Sequence, residues 1–555
     1  MRTQLRRLVP LVFAVFAALP CAQARANGEQ DALRALLAEG PPSVAGERAA
    51  RDASELRAFY AARGNRLAWR EADRWSKQAA AAVSLLAAAA DEGLDPARYA
   101  MPPLEPFHGR SGPPGPLGPR QIAATDARLT AAMLRYIHDI RTGQADPAQR
   151  DPELAVAAPT VDAAAWLAMG LEAPDFDAWL ASLAPDWPAY RGLRDALPTF
   201  RRRAADGDWP LLPRGLNLEP GANDARVSIV RRQLARLGDL NAGDLDAGNL
   251  AGGESADTVY DPLLETAVLR FQRRHGLAGD GVVGEKTRAA LNVAPRARAD
   301  QIIVNMERLR WQPPLSEPRH LVVNVPAFDV VAVEDGKAFL HMPVIVGRPD
   351  RRTPMFDDRI TAVTFLPSWT VPRKIARKDI LPKVQRDPAF LERQRIKVFE
   401  DWGANACEVD PRTIDWTSIS PQGLTHRFTQ EPGPLNALGR IRFTLGNAFD
   451  IYLHDTPNKA LFLKDRRAFS SGCIRVADAA ALAEFALKGN LYWSRERIEQ
   501  AMNGESTFVV DLAEPLAIQV TYRTAYIGSD GTMQFRNDIY GRDRALSRIL
   551  GFGES

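Results

Sequence analysis

The chain has 555 residues, and at about 150 residues per domain that length argues for three to four domains and excludes a single small fold. Hydrophobic residues make up 46% and charged residues 25%, averages for globular proteins that exclude an extensively disordered or fibrous chain. The formal charge is 71 − 68 = +3, and because Arg2, Arg6, Arg7 and Arg25 stand among residues 1–26 with no acid, the remainder carries 67 − 68 = −1, which is no electrostatic footprint for nucleic acid.

Residues 1–26 have a basic start, an apolar run from Leu8 to Leu19, and small residues at Ala22-Gln23-Ala24 and Ala24-Arg25-Ala26. That is the pattern of a cleaved secretory signal peptide, and the run is short of the ~20 residues of a membrane-spanning helix. Export to the periplasm is therefore expected, with membrane association only if the signal is uncleaved. Pro20 before Cys21 is a poor lipoprotein context. After cleavage only Cys407 and Cys473 remain, too few for a disulfide framework; they either pair, or one is kept free for chemistry.

Residues 31–222 read as a helical domain. Ser76 can cap a helix reaching Ala90 with Gly93 as its stop, and Ile122 to Ile140 repeats apolar residues at helical spacing. Pro and Gly exclude regular structure from Gly109 to Arg120. A second unit, 223–294, places helices at Val227–Leu237 and Tyr260–His275, a Gly/Asp-rich loop at Asn241–Asp257, and a closing helix after turns at Gly276 and Asp280-Gly281. Its Phe271-Gln272, His275-Gly276-Leu277, Asp280-Gly281, Val283-Gly284, Thr287 and Leu291-Asn292 resemble the peptidoglycan-binding domain found beside many cell-wall enzymes. Many of these residues serve a three-helix core, so the resemblance implies a cell-wall context more than it identifies a ligand.

From about residue 300 the pattern turns to strands: His320–Val325, Val330–Glu334 and Ala338–Val346, with Asp335-Gly336 as a hairpin signal. Between 376 and 432 a short charged helix, Pro388–Arg395, lies among Pro-containing loops, an insertion long enough to be a lid. The β-rich domain is expected over 300–525 and a tail over 526–555.

Within it, Phe449, Ile451 and Leu453 alternate with Asp450, Tyr452 and His454, and period two puts Tyr452 and His454 on one face of a strand. Nineteen residues on, since 473 − 454 = 19, Cys473 follows Ser470-Ser471-Gly472, with Arg475 two residues later and a helix from Asp478 to Leu487. A thiol at its ordinary pKa of ~8.5 is only slightly ionised at neutral pH. A neighbouring His454 or Arg475 raises the thiolate fraction. His454 can carry the proton, Arg475 can hold a substrate carboxylate, and the backbone N–H groups of Ser471, Gly472 and Cys473 are candidates for an oxyanion hole.

These residues resemble the L,D-transpeptidases of the YkuD-domain superfamily, which carry a strand His followed by Ser-x-Gly-Cys, an apolar residue and Arg; here His454, Ser470, Gly472, Cys473, Ile474 and Arg475. Ser471, where many members have His, and His-Asp-Thr-Pro in place of His-Gly-Thr look like the long, scaffold-containing YcbB-type branch. So do NVPAF (Asn324 to Phe328), VIVGRPDRRTP (Val344 to Pro354), PSWTVP (Pro367 to Pro372), QEPGPLNALGRIRF (Gln430 to Phe443) and the helical FYAARGNRLAW and DEGLDPARY. Leu366 departs from the Asn that this branch tends to carry. The resemblance implies attack by Cys473 on the third-residue carbonyl of a tetrapeptide stem, release of D-Ala, a thioester, and capture by a neighbouring stem's amine to give a 3→3 cross-link. It implies His454 as base and acid, the backbone carbonyl of Asp455 as third triad member, and acylation by carbapenems.

The expected fold class is multidomain α+β: a helical scaffold domain, a small three-helix peptidoglycan-binding domain and a β-rich catalytic domain with an inserted lid. Cys473 and His454 are the expected catalytic pair, with Ser470, Ser471, Gly472, Arg475, Tyr452 and Trp369 around substrate, Cys407 a spectator, and Asn436 and Gly439 shaping a turn. His275, His320, His341 and His426 show no metal-ligand spacing, so no metal or cofactor is expected. Peptidoglycan stems are the expected partner, with room for other cell-wall synthesis enzymes. The motif leaves open an L,D-carboxypeptidase or endopeptidase using water as acceptor, and, from another class, a non-catalytic wall-binding scaffold.

Overall fold

The computed structural model describes residues 27–39, 47–72, 74–101, 104, 117–145, 153–156, 159–207, 209–240 and 258–552. The expected signal peptide, most of the Pro/Gly-rich stretch before Arg120 and the loop at 241–257 lie outside them. The chain divides into two compact units.

One unit takes its described residues from Met1–Asp146, Ala158–Arg202 and Ile302–Trp311 and is built of helices. Ser76 Oγ accepts the Ala79 amide at 3.1 Å and starts the helix Lys77–Ala87. A 3-10 turn, Ala89–Glu92, then ends at left-handed Gly93, where the sequence puts its stop. The central helix, Pro119–Thr142, buries Asp126. Burial pushes that carboxyl group's pKa up, and it accepts from Tyr60 Oη at 2.5 Å and from the Ala68 and Trp69 amides at 3.0 and 2.9 Å; a buried acid is tolerated because its oxygens are used.

The other unit takes its described residues from Pro147–Ala157, Arg203–Gln301 and Gln312–Ser555. Its N-terminal part packs the helices Arg226–Leu237, Pro262–Arg274 and Glu285–Leu291 around Val227, Leu234, Phe271 and Leu291. The motif residues here are structural. Gln272 Nε2 donates to Asp280 Oδ1 at 2.8 Å and Val282 O at 3.0 Å, and Gln272 Oε1 accepts the Gly281 amide at 3.0 Å. Asn292 exchanges two bonds with the Leu212 backbone.

The C-terminal part is a sheet whose strands run in the order Ile441–Thr444, Leu453–His454, Ile474–Val476, Lys337–Gly347, Asp329–Glu334, Arg319–Asn324, Phe508–Thr521 and Met355–Phe365; the last pairs with the first, so the sheet closes. Its first hairpin turns at Asp335 and Gly336, φ 48° and 74°, the pair of left-handed residues that a tight hairpin needs. Among the described residues no helix is long and apolar enough to cross a membrane.

Three elements differ from expectation. The insertion is more than loops around a short helix. Its strands Ile396–Phe399, Glu408–Val409 and Arg427–Gln430 form a separate sheet with Trp369–Thr370, which precedes it, over a core that includes Val371, Leu381, Val398 and Phe428. Residues 526–552 are folded rather than a tail, with a hairpin, Ala525–Ile527 with Met533–Phe535, and a helix, Arg542–Ile549. The strand expected from Phe449 is only Leu453–His454.

Candidate active site

Leu453–His454 lies parallel to Ile474–Val476, with Leu453 opposite Ile474 and His454 opposite Arg475, and the Ile474 amide donates to Tyr452 O at 3.1 Å. That register sets Cys473, one residue before its strand, beside Tyr452. The turn ahead of Cys473 is tied from within and from below. Ser470 Oγ donates to Cys473 O at 2.6 Å and accepts the Gly472 amide at 3.1 Å. Gly472 has φ 126°, and a Cβ there would stand 2.9 Å from Ile451 Cδ1. Thr353 Oγ1 donates to Gly472 O at 2.7 Å. The Thr353 amide in turn donates to Tyr540 Oη at 3.2 Å, and that hydroxyl donates to Gly347 O at 2.7 Å.

Buried His454 has Nδ1 2.5 Å from Asp455 O. A carbonyl only accepts, so Nδ1 carries the hydrogen and the neutral ring keeps its lone pair on Nε2. The ring is neutral at physiological pH because burial first, and the Arg475 charge second, lower its pKa to about 3, against the opposing pull of the Asp455 backbone, the Asp455 carboxylate charge and the Leu438 backbone. The same burial raises the Cys473 thiol to about 11, only partly offset by backbone hydrogen bonds and Arg475. Arg475 pulls the thiol towards the thiolate, as expected, but desolvation outweighs it, and neutral His454 is not among the groups that shift the thiol. The thiol points to Asp450 O at 3.8 Å.

Trp369, Tyr452, His454, Ser470, Ser471, Cys473 and Arg475 line one cavity of about 890 Å³. Gly472 lies buried behind it. The Gly472 amide is already engaged by Ser470 Oγ, which leaves the other two candidate oxyanion donors, the Ser471 and Cys473 amides. The Asp455 side chain is turned away, accepting from Lys459 Nζ at 2.6 Å and the Arg440 amide at 2.9 Å. Arg475 is half-buried, with burial lowering its pKa and Cys473 pulling the other way. Arg348, Arg351, Arg352, Lys374, Lys378, Lys383, Arg386 and Arg475 line the cavity against Glu153, Asp350, Asp379 and Asp450, so the pocket suits an anionic ligand. Tyr452 is raised to about 12, burial first and the neighbouring Cys473 second, and stays a neutral phenol. Asn436 and Gly439 form the turn beside this site: Asn436 Nδ2 donates to Pro367 O at 3.0 Å and Glu431 O at 2.9 Å. Cys407 is free and exposed, unpaired with Cys473. Sequence reasoning missed Thr353, Arg351 and Tyr540. The first two stand in the VIVGRPDRRTP stretch, which was its one signal.

Three family models match the chain: "Scaffold domain" over residues 54–197, "Putative peptidoglycan binding domain" over 223–291 and the YkuD "L,D-transpeptidase catalytic domain" over 318–496. A curated protein of Haemophilus influenzae, "Putative L,D-transpeptidase", is 33% identical over 247 residues, 44% of this chain and 49% of that protein. The match thus spans about half the length of this curated relative. Among solved structures, an L,D-transpeptidase from Mycobacterium smegmatis is 12% identical over 37% of this chain and 58% of its own, with TM-score 0.19. An L,D-transpeptidase from Xylanimonas cellulosilytica is 13% identical over 56% and 99%, with TM-score 0.18.

Proposed function

We propose that this chain, which carries a YkuD L,D-transpeptidase catalytic domain together with a scaffold domain and a peptidoglycan-binding domain, is a cysteine acyltransferase that makes 3→3 cross-links in peptidoglycan after export to the periplasm. One observation carries the reading: the Nδ1–H of His454 is spent on Asp455 O, leaving Nε2 as base in a cavity shared with Cys473 and Arg475. Sγ attacks the third-residue carbonyl of a tetrapeptide stem while its proton passes to Nε2. The tetrahedral intermediate collapses with cleavage of the C–N bond, His454 returns the proton to the departing amine, and D-Ala leaves with a thioester on Cys473. The side-chain amine of a second stem attacks that thioester, gives its proton to Nε2, and Sγ departs and is reprotonated.

With the thiol near 11 and the imidazole near 3, a preformed thiolate–imidazolium pair lies far uphill. Proton transfer therefore accompanies attack, and an oxyanion held by backbone N–H groups offsets the cost. Arg475, a cation beside the nucleophile, is placed to hold a donor carboxylate.

Incubating the protein with a disaccharide-tetrapeptide and weighing the products tests this. A dimer short of one D-Ala is expected, with the acyl group on Cys473 and no product from Cys473→Ala. Tripeptide alone would make water the acceptor and the enzyme an L,D-carboxypeptidase. No product from the reduced wild type would favour a wall-binding scaffold.

A further inference from the structure

Arg351 lies in the turn between the strands Lys337–Gly347 and Met355–Phe365, its side chain 6% exposed. Its guanidinium makes a two-point ion pair with Asp379, through Nη1 to Oδ2 and Nη2 to Oδ1, the latter at 2.8 Å. Nη1 also donates to Ser471 Oγ at 2.9 Å. Asp379 belongs to the π-helical segment Ala376–Ile380 of the insertion, a geometry concentrated at functional sites. Ser471 stands two residues ahead of Cys473. The other ties on this turn come from Ser470 within it and from Thr353, in the same turn as Arg351, so Asp379 brings in the insertion through Arg351. Ser471 is thus the point at which the insertion takes hold of the nucleophile loop.

We propose that Arg351 and Asp379 are positioning residues that act through Ser471, a clamp by which the insertion fixes the turn carrying Cys473. The proposal rests on the acyl-transfer reading above. Arginine suits the task because its planar fork makes three bonds in fixed directions, which a lysine ammonium cannot reproduce. A displacement of order 1 Å at a nucleophile costs up to about 100-fold in rate. The clamp touches no reacting atom, so its loss should act chiefly on kcat; because Arg351 and Ser471 also line the cavity, a smaller change in KM accompanies it.

The test uses full-length protein with Arg351→Lys, Ser471→Ala and their double variant, and Ser471→Thr as the conservative rescue. With the tetrapeptide, each single variant is expected to lose about 10-fold in kcat with KM within about twofold. The double variant should lose no more than the worse single, and Ser471→Thr, which keeps the hydroxyl, should recover most of what Ser471→Ala loses. Rates within twofold of wild type, or single losses that multiply in the double variant, would overturn the clamp.

A second measurement does not need turnover: the pH midpoint of Cys473 alkylation by iodoacetamide. Arg475, Asp450 and Tyr452 act on this thiol, and they and His454, which lines the same cavity, are unchanged in all the variants. A loosened turn admits water, so the midpoint should fall by about one pH unit towards the ordinary thiol value of ~8.5 in Arg351→Lys and Ser471→Ala. An unmoved midpoint sinks the proposal, whereas a midpoint that shifts in the variants while the wild type leaves the tetrapeptide intact sinks only the acyl-transfer reading.

Discussion

The Asp455 backbone and side chain do separate jobs, and that separation can be tested at one residue. The carbonyl fixes the His454 tautomer, while the carboxylate accepts from Lys459 and the Arg440 amide. Asp455→Asn keeps the carbonyl and one acceptor oxygen and gives up the charge. Turnover is expected to stay within about threefold, while stability falls by about 1 kcal/mol, the scale of a weakened charge-assisted hydrogen bond discounted because Lys459 is half exposed. Steady-state kinetics beside a thermal melt would decide it, and a large loss of kcat with an unchanged melt would return the carboxylate to the chemistry. Single residues also mark where the sequence was legible. His454 and Cys473, the proposed catalytic pair, could be found because the proposed chemistry needs their types at a local spacing. Arg351 and Tyr540 could not, since they reach the turn from 120 residues before Ser471 and, for Tyr540, through Thr353. Leu366, where the resembled branch tends to carry Asn, has φ 48°, a left-handed conformation that Asn tolerates better than Leu.

Elements were legible where the local signal and the tertiary fold agree. The hairpin at Asp335-Gly336 and the helix cap at Ser76 are formed by the residues that announce them. The alternation from Phe449 to Leu453 misled because Asp450 turns left-handed, φ 55°, and Asn447 Oδ1 takes the Phe449 and Ile451 amides. A side-chain acceptor thus replaces the sheet ladder there. The sheet of the insertion has strands of two to four residues, too short for periodicity to reveal. The turn that carries Gly439 offers a test at this scale. Gly439 has φ 64°, and a Cβ would stand 2.6 Å from the Asp455 carbonyl carbon and closer still to Oδ2. Gly439→Ala therefore combines a left-handed Ala, costing about 1 kcal/mol, with a collision against the residue that orients His454. Expected are a destabilisation of about 2 kcal/mol or more and a fall in kcat that exceeds any change in KM. Normal turnover in a variant that melts earlier would show that the turn supports the fold without setting the His454 geometry.

At the scale of the molecule, two of the imidazoles are buried in a way that links folding to pH. His454 is lowered to about 3, by burial first and Arg475 second. His275, stacked on Phe271 and Phe535 with Nδ1 2.8 Å from Phe271 O, is lowered by burial and by the charges of Arg274, Arg298 and Arg536. An unfolded histidine titrates near 6.5. Between that value and the folded one the unfolded chain binds the extra proton, so stability is fully present above about pH 6.5 and is lost as pH falls towards 3. For His454 the window of 3.5 units corresponds to roughly 5 kcal/mol at most, comparable with the whole stability of many domains. Carboxylates add their own acid dependence, so the informative quantity is a difference. His454→Asn can still donate to Asp455 O but cannot titrate, so the gap in stability between wild type and variant should narrow by about 1.4 kcal/mol per pH unit from pH 6 to pH 4. The urea midpoint of the barrel-containing unit, measured at pH 7.5, 6, 5 and 4 in both proteins, reads that gap directly. A gap constant across the series would mean that His454 is solvated rather than buried neutral, and the tautomer argument for its role as base would lose its footing.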